Sequence, residues 1–168
     1  MWKQQQTTPS KRLETAKKFI GIFATLDTHL ADSLLAEDFV HQFAPASLGM
    51  RPPLGKQVFL EHIDGLREIM AGFPVTVKEH VESESSNQVT VWARSQTIFR
   101  DDVKDDSVSE KEWAYEGEYM FLLFMDETGE KITRVVEFLD SKATDEKLRP
   151  LIRRARENSQ KRSSSERK

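Results

Sequence analysis

Trp113-Ala114-Tyr115-Glu116-Gly117-Glu118-Tyr119-Met120-Phe121-Leu122-Leu123-Phe124 is followed, one turn later, by Ile132-Thr133-Arg134-Val135-Val136-Glu137-Phe138-Leu139-Asp140. Both segments are rich in aromatic and β-branched residues and read as strands, over 113–125 and 131–139. The intervening Asp126-Glu127-Thr128-Gly129-Glu130 contains a glycine and suits a hairpin. Side chains two apart on a strand share a face. Tyr115, Gly117, Tyr119, Phe121 and Leu123 then form an uncharged face, with Glu116, Glu118, Met120, Leu122 and Phe124 on the other. On the next strand Val135, Glu137 and Leu139 share one face, and Arg134, Val136, Phe138 and Asp140 take the opposite one. With the less charged faces inward, Glu137 is carried into an apolar interior beside the tyrosines. The alternative is an outward Glu137 paired with Arg134 or a lysine, because a slip of one residue inverts a strand's facing.

Working outward, Val75 to Val81 alternates, 83–87 forms a turn, and 89–99 reads as a long strand. The acidic segment 101–112 reads as an exposed hairpin loop. The earlier segments are mostly helical. After Pro9-Ser10, Leu13, Ala16, Phe19, Ile20, Phe23 and Ala24 recur at helical spacing, giving an amphipathic helix to about Leu26. Asp27-Thr28 can cap a second helix reaching about Leu35. Phe39-Val40-His41-Gln42-Phe43 alternates as a short strand, and 45–55, with three prolines and two glycines, is a loop. A third helix over 56–71 has Val58, Phe59, His62, Ile63, Leu66, Ile69 and Met70 as its apolar side, until Gly72 and Pro74 stop it. Residues 144–154 read as a last helix with Pro150 as a potential break. The polar ends, 1–8 and the basic 156–168, read as disordered and leave one domain over 9–155. Strands joined by turns make an antiparallel sheet, and helices placed mostly before it cover one face, so the class is α+β.

The 168 residues are 38% hydrophobic, enough for one core, and contain no cysteine. Disulfides, thiolate nucleophiles and Cys-ligated zinc are thereby excluded. The start, Met1-Trp2-Lys3-Gln4-Gln5-Gln6, lacks the apolar core of a signal peptide, and no apolar run approaches the ~20 residues of a membrane span. The expectation is a soluble, cytoplasmic protein with no membrane partner. From Lys147 to Lys168 nine Lys/Arg stand against two Glu, a net of +7; with −3 overall, the remainder carries −10. An acidic body of this kind does not suit nucleic acid. No histidine pair has helical i, i+4 spacing, and there is neither a glycine-rich phosphate loop nor a Gly-x-Ser-x-Gly elbow. What remains is proton chemistry. A carboxylate set among apolar side chains is the kind of group that burial tunes for acid–base work, and phenols can donate to a developing oxyanion. His41, on the face of Phe39 and Phe43, can serve as a second proton-transfer group or as a buried structural histidine. His62 falls on the apolar side of the third helix; His29 and His80 read as exposed.

The opening helix, the segment Leu35-Ala36-Glu37-Asp38-Phe39-Val40-His41-Gln42-Phe43-Ala44-Pro45, the helix with Phe59-Leu60-Glu61-His62-Ile63 and the ending Thr133-Arg134-Val135-Val136-Glu137-Phe138-Leu139-Asp140-Ser141 resemble the SnoaL-like, or nuclear-transport-factor-2-like, superfamily over roughly 9–150. The pairing of Glu118-Tyr119-Met120-Phe121 with Val136-Glu137-Phe138-Leu139-Asp140 resembles its fungal branch. The resemblance implies a cone-shaped roll: a bent antiparallel sheet wrapped around N-terminal helices, with a conical pocket inside. It further implies a cofactor-independent isomerase or cyclase, with dehydration as a third option, acting by acid–base catalysis on an apolar polycyclic secondary metabolite. The superfamily also holds non-catalytic ligand-binding and dimeric interaction modules, which is the alternative reading. The implied catalytic set is Glu137, Tyr115, Tyr119 and His41, with Phe39, Phe43, His62, Met70, Phe121 and Leu123 shaping the substrate cavity and no metal or cofactor. Some relatives carry an arginine near the first strand, where this chain has Val40-His41-Gln42. Trp92, beside Arg94, Met120 and Phe138 on the outer sheet face, suggests a homodimer of the kind common in the family.

Overall fold

Ser10 starts the first helix, α1 (Lys11–Gly21), by accepting from the Leu13 backbone N–H. In this computed structural model, which describes residues 8–49 and 52–165, α1 turns Thr15, Ala16, Phe19 and Ile20 inward. It tightens into a 3₁₀ turn at Ile22–Ala24 and does not run on to Leu26. Asp27 caps α2 (Thr28–Leu34). There follow β1 (Leu35–Ala44), β2 (Leu54–Gly55), α3 (Lys56–Arg67), β3 (Met70–Gly72), β4 (Val75–Ser83), β5 (Gln88–Gln96) and β6 (Ile98–Phe99). The chain continues through α4 (Glu110–Trp113), β7 (Glu116–Met125), β8 (Ile132–Leu139), α5 (Ser141–Ala143) and α6 (Arg149–Ser165), with a π-helical turn, Thr144–Leu148, before α6.

Six strands form one sheet in the order β2-β1-β8-β7-β5-β4. The hairpins β4–β5 and β7–β8 and the β5–β7 pair are antiparallel, as expected. The β1–β8 pair is parallel, which corrects the wholly antiparallel reading. The two are separated by most of the chain, so no tight turn dictates their relative direction. Register shifts in β1, β4 and near the β7–β8 turn bend the sheet. The turn itself closes at Gly129, whose φ of 73° lies in the left-handed region. The concave face receives α1 and α3. Phe19 stacks on Phe59 at 6.2 Å, Phe23 on Phe121 at 5.9 Å, and Phe39 leans on Phe59 at 5.3 Å. Each such fully buried ring contributes about 1.5–3 kcal/mol relative to exposure. Tyr119, Phe121, Leu123, Val135 and Glu137 all point inward, whereas Met120 and Phe138 point out.

Several boundaries move. The strand expected over 113–125 begins at Glu116; Trp113 ends α4 and Tyr115 lies just before the strand, its N–H bonded to the Trp113 carbonyl. The long strand over 89–99 breaks at Thr97, and β6 leaves to pair with β3 in a second small sheet. The third helix stops at Arg67, which puts Met70 on β3; Val58, expected on its apolar side, is exposed. The segment 101–112 is not a bare loop. It contains a 3₁₀ turn and α4, whose capping box joins Ser109 and Glu112, and it buries Val103. Trp113, also buried, packs edge-on against Phe99. The last helix runs through 156–165, where disorder was expected; Pro150 sits in its first turn, where a missing N–H costs nothing. Residues 166–168 and, apart from Thr8, the N-terminal 1–8 lie outside the described residues. No helix among those described is long and apolar enough to cross a membrane.

Candidate functional site

The parallel pairing of β1 and β8 aligns His41 with Val135 and Phe43 with Glu137, so two inward polar residues become neighbours. His41 Nε2 lies 2.9 Å from Glu137 Oε2. His41 is fully buried, with its ring stacked on Phe59 at 4.8 Å and edge-on to Phe43 at 4.5 Å. Its Nδ1 has no hydrogen-bond partner among the described residues. An N–H at that atom would be an unmet buried donor costing about 1–3 kcal/mol. The tautomer that leaves least unsatisfied carries its proton on Nε2 and donates it to Glu137. Oε1 of Glu137 has no protein partner among the described residues.

Glu137 forms part of the wall of a cavity of about 130 Å³. Tyr119 and Leu139 complete the sheet side. Phe43, His62, Leu66, Met70, Phe73 and Thr97 close the flanks, and Thr144, Leu148, Arg149 and Ile152 form a roof from the C-terminal segment. The Tyr119 hydroxyl accepts from Ser95 Oγ at 3.1 Å, leaving its own proton to donate. Burial pushes the pKa of this phenol well above its ordinary value, with the Ser95 bond opposing. Tyr119 is therefore a neutral donor at any physiological pH. Gly117 is what lets the ring lie there: a Cβ at Gly117 would sit 2.5 Å from the Tyr119 hydroxyl.

Among the sequence-derived candidates, Glu137, Tyr119, Phe43, His62 and Met70 line this cavity. His41 stands behind Glu137 and does not reach the cavity wall. Phe39, Phe121 and Leu123 are core residues away from the cavity, at 1% exposure or less. Tyr115 is buried too, but it lines a different cavity of about 870 Å³ between β7, α4 and the start of α6. Burial raises its phenol, while a hydrogen bond with Thr144 opposes the shift. The Tyr115–Thr144 contact thus stands between the two spaces. The residues that sequence reasoning missed are chiefly the roof. Thr144, Leu148 and Ile152 recur every four residues, a helical stripe hidden inside a segment dominated by charge.

The roof is fastened from outside. Asp105, in the acidic segment, accepts from Arg154 Nε at 2.7 Å and Nη2 at 3.0 Å, from Asn158 Nδ2 at 2.6 Å, and from Ser107. The guanidinium, followed by the Ser107 and Asn158 donors, holds the Asp105 carboxyl well below the usual range. Asn158 also donates to the Val103 carbonyl at 3.0 Å. Acidic segment and basic tail, separate features in the sequence, are one clasp in the structure. Among the described residues no group of three or more His, Cys, Asp or Glu could hold a metal ion.

A bent sheet wrapped around N-terminal helices has solved counterparts. The structure of AusH from Aspergillus nidulans matches with a TM-score of 0.66 at 25% identity, covering 79% of this chain and 88% of that one. The BvnE pinacolase of Penicillium brevicompactum matches with a TM-score of 0.67 at 21% identity, covering 80% and 89%. This is a SnoaL-like cone fold. No family model matches the sequence. The austinoid biosynthesis clusters protein H of Penicillium brasilianum is 28% identical over 138 residues, 82% of this chain and 88% of that protein. The similarity in sequence thus extends over most of this chain and most of that protein.

Proposed function

We propose that this chain is a cofactor-independent isomerase or cyclase of fungal secondary metabolism, acting by proton transfer on an apolar polycyclic carbonyl compound inside the cone. The observation that carries the reading is the buried Glu137 carboxylate on an otherwise apolar wall shared with the Tyr119 hydroxyl. Glu137 removes a proton from the substrate, either from the carbon next to a carbonyl or from a hydroxyl whose carbon skeleton then migrates. The electron pair released moves onto the carbonyl oxygen, where the Tyr119 proton meets it. Glu137 returns the proton at the new position, so atoms and charge balance without a co-reactant. Ser95 donates to Tyr119 and strengthens that donor. His41 is a positioning residue that holds one carboxylate oxygen and leaves the other for the substrate. The likeness to a pinacolase, whose name denotes a skeletal rearrangement, supports this class of chemistry.

A cavity of about 130 Å³ is below the ~300 Å³ at which ligand pockets begin. This size favours one rival, a binding module with a filled pocket. For the enzyme reading it requires the roof formed by Thr144, Leu148 and Ile152 to lift when substrate arrives. The outer sheet face exposes Trp92, Met120 and Phe138 in one cross-strand row, which supports a homodimer. The test incubates polycyclic ketones and α-hydroxyketones with the protein in deuterium oxide, reading carbon-bound label by mass spectrometry for the first route and a changed carbon skeleton by NMR for the second. Label uptake or rearrangement that Glu137→Gln lowers by about 10²–10⁴-fold is the expected result. Equal signals with both proteins favour the binding module.

A further inference from the structure

We propose that the ligand of this cavity is an anion: an apolar ring system bearing a carboxylate or similar acidic group, guided in along an arginine stripe on α6. The inference rests on the proton-transfer reading above and names its substrate class. Arg149, Arg153 and Arg156 are spaced i, i+4, i+7 and so occupy one side of the helix. With Ile152, Glu157 and Gln160 they line an open groove of about 430 Å³. Arg149 and Ile152 also belong to the cavity roof, so groove and cavity meet at these two side chains. Arg149 is anchored there, donating to Asp145 at 2.8 Å and to the Leu48 carbonyl.

Arg153 and Arg156 are exposed and form no ion pair among the described residues. Like charges at this spacing oppose one another on a helix, so helix stability does not account for them. With Arg149 paired to Asp145, Arg153 and Arg156 face a single lining carboxylate, that of Glu157. The rest of the chain, residues 1–146, carries −10. An acidic ligand is repelled by that body and drawn to this cationic stripe, which ends at the cavity. Guanidinium also matches a carboxylate in shape as well as charge.

Two dyes with the same ring system test this: 1-anilinonaphthalene-8-sulfonate, an anion, and N-phenyl-1-naphthylamine, its neutral counterpart. The native protein is expected to bind both, and Leu148→Trp, which fills the roof, to abolish both signals. An unaltered signal in that variant puts the dyes outside the cone and overturns the proposal. Arg153→Gln with Arg156→Gln is expected to weaken the anionic dye about tenfold while the neutral dye changes by less than about twofold. Arg153→Lys with Arg156→Lys should keep most of the anion's affinity, and raising the salt to about 0.5 M should erase its advantage. Equal losses for both dyes, or no loss for either, overturn the arginine stripe. A native protein that binds neither dye removes the apolar cavity itself and the functional reading with it. One that binds both without regard to the arginines removes only this proposal.

Discussion

Glu137 and His41 divide one task between them because only one of them reaches the cavity. The imidazole is sealed between Phe59 and Phe43, so its effect on chemistry passes through the carboxylate that it holds at 2.9 Å. Glu137→Gln keeps an oxygen for that bond and should leave urea stability within about 1 kcal/mol while removing the proton acceptor. His41→Phe does the reverse: it strips a buried carboxylate oxygen of its donor and should cost about 1–3 kcal/mol in the same urea titration. A loss under half a kilocalorie would mean that the pair is not bonded in solution. Tyr119 depends similarly on a residue that does no chemistry. Gly117→Ala puts a methyl group 2.5 Å from the phenol oxygen, so the ring must leave its place beside Ser95. The turnover of Gly117→Ala is expected to fall to that of Tyr119→Phe, and the double variant to fall no further. Additive losses in the rate assay would show that Gly117 acts some other way.

At the scale of elements, α6 is the part whose role the sequence concealed. Asp105 secures it through Arg154 and Asn158, and a carboxylate held below its ordinary range sets the sign of the pH dependence. Its contribution is complete above the unfolded value of ~3.9 and is lost as pH falls through the lower folded value. Hydrogen exchange in 154–165, corrected for its intrinsic rate, should therefore stay constant from neutral pH to about pH 5 and rise only below about pH 4. Asp105→Asn should exchange fast at neutral pH and lose that acid dependence; a variant as protected as the parent would rule out the clasp. Strand positions were legible because alternation is local: Tyr119, Phe121, Leu123 and Glu137 all face as the pattern requires. The C-terminal roof was not, because its apolar stripe of Thr144, Leu148 and Ile152 is sparse and set among charges, which alone suggest solvent. Tyr115 misled for another reason. Four-residue capping at Ser109–Glu112 starts a helix that displaces the strand start, and no alternation pattern reports a cap.

For the whole molecule, the pattern carried the fold class, the helices-first order and the inward carboxylate, since each follows from periodicity along a single segment. The parallel β1–β8 pair, which brings His41 to Glu137, follows from contacts between residues 96 apart in sequence. No single-segment reading contains it. The sheet's outer face is a further consequence of the bend. Strands that curl around α1 and α3 turn their convex side to water, and there Trp92, Met120 and Phe138 lie in register across three strands. Their exposures are 37%, 44% and 43%. Lys78 covers part of this row, its amine 4.0 Å from the Trp92 ring centre and 2.8 Å from Glu118, so the row has a charged end and an apolar end. A twofold partner laid on it would bury the apolar end of each copy against the other. Light scattering behind a sizing column should give twice the chain mass at micromolar concentration. Met120→Glu with Phe138→Glu should halve it, because four like charges would meet at the centre of the symmetric contact. The cone lies on the opposite face of the sheet, so the halved protein should still bind N-phenyl-1-naphthylamine as the parent does. A native protein of single-chain mass would remove the dimer and leave this row as plain surface; a variant that loses both mass and dye would mean that the cone holds its shape only as a pair.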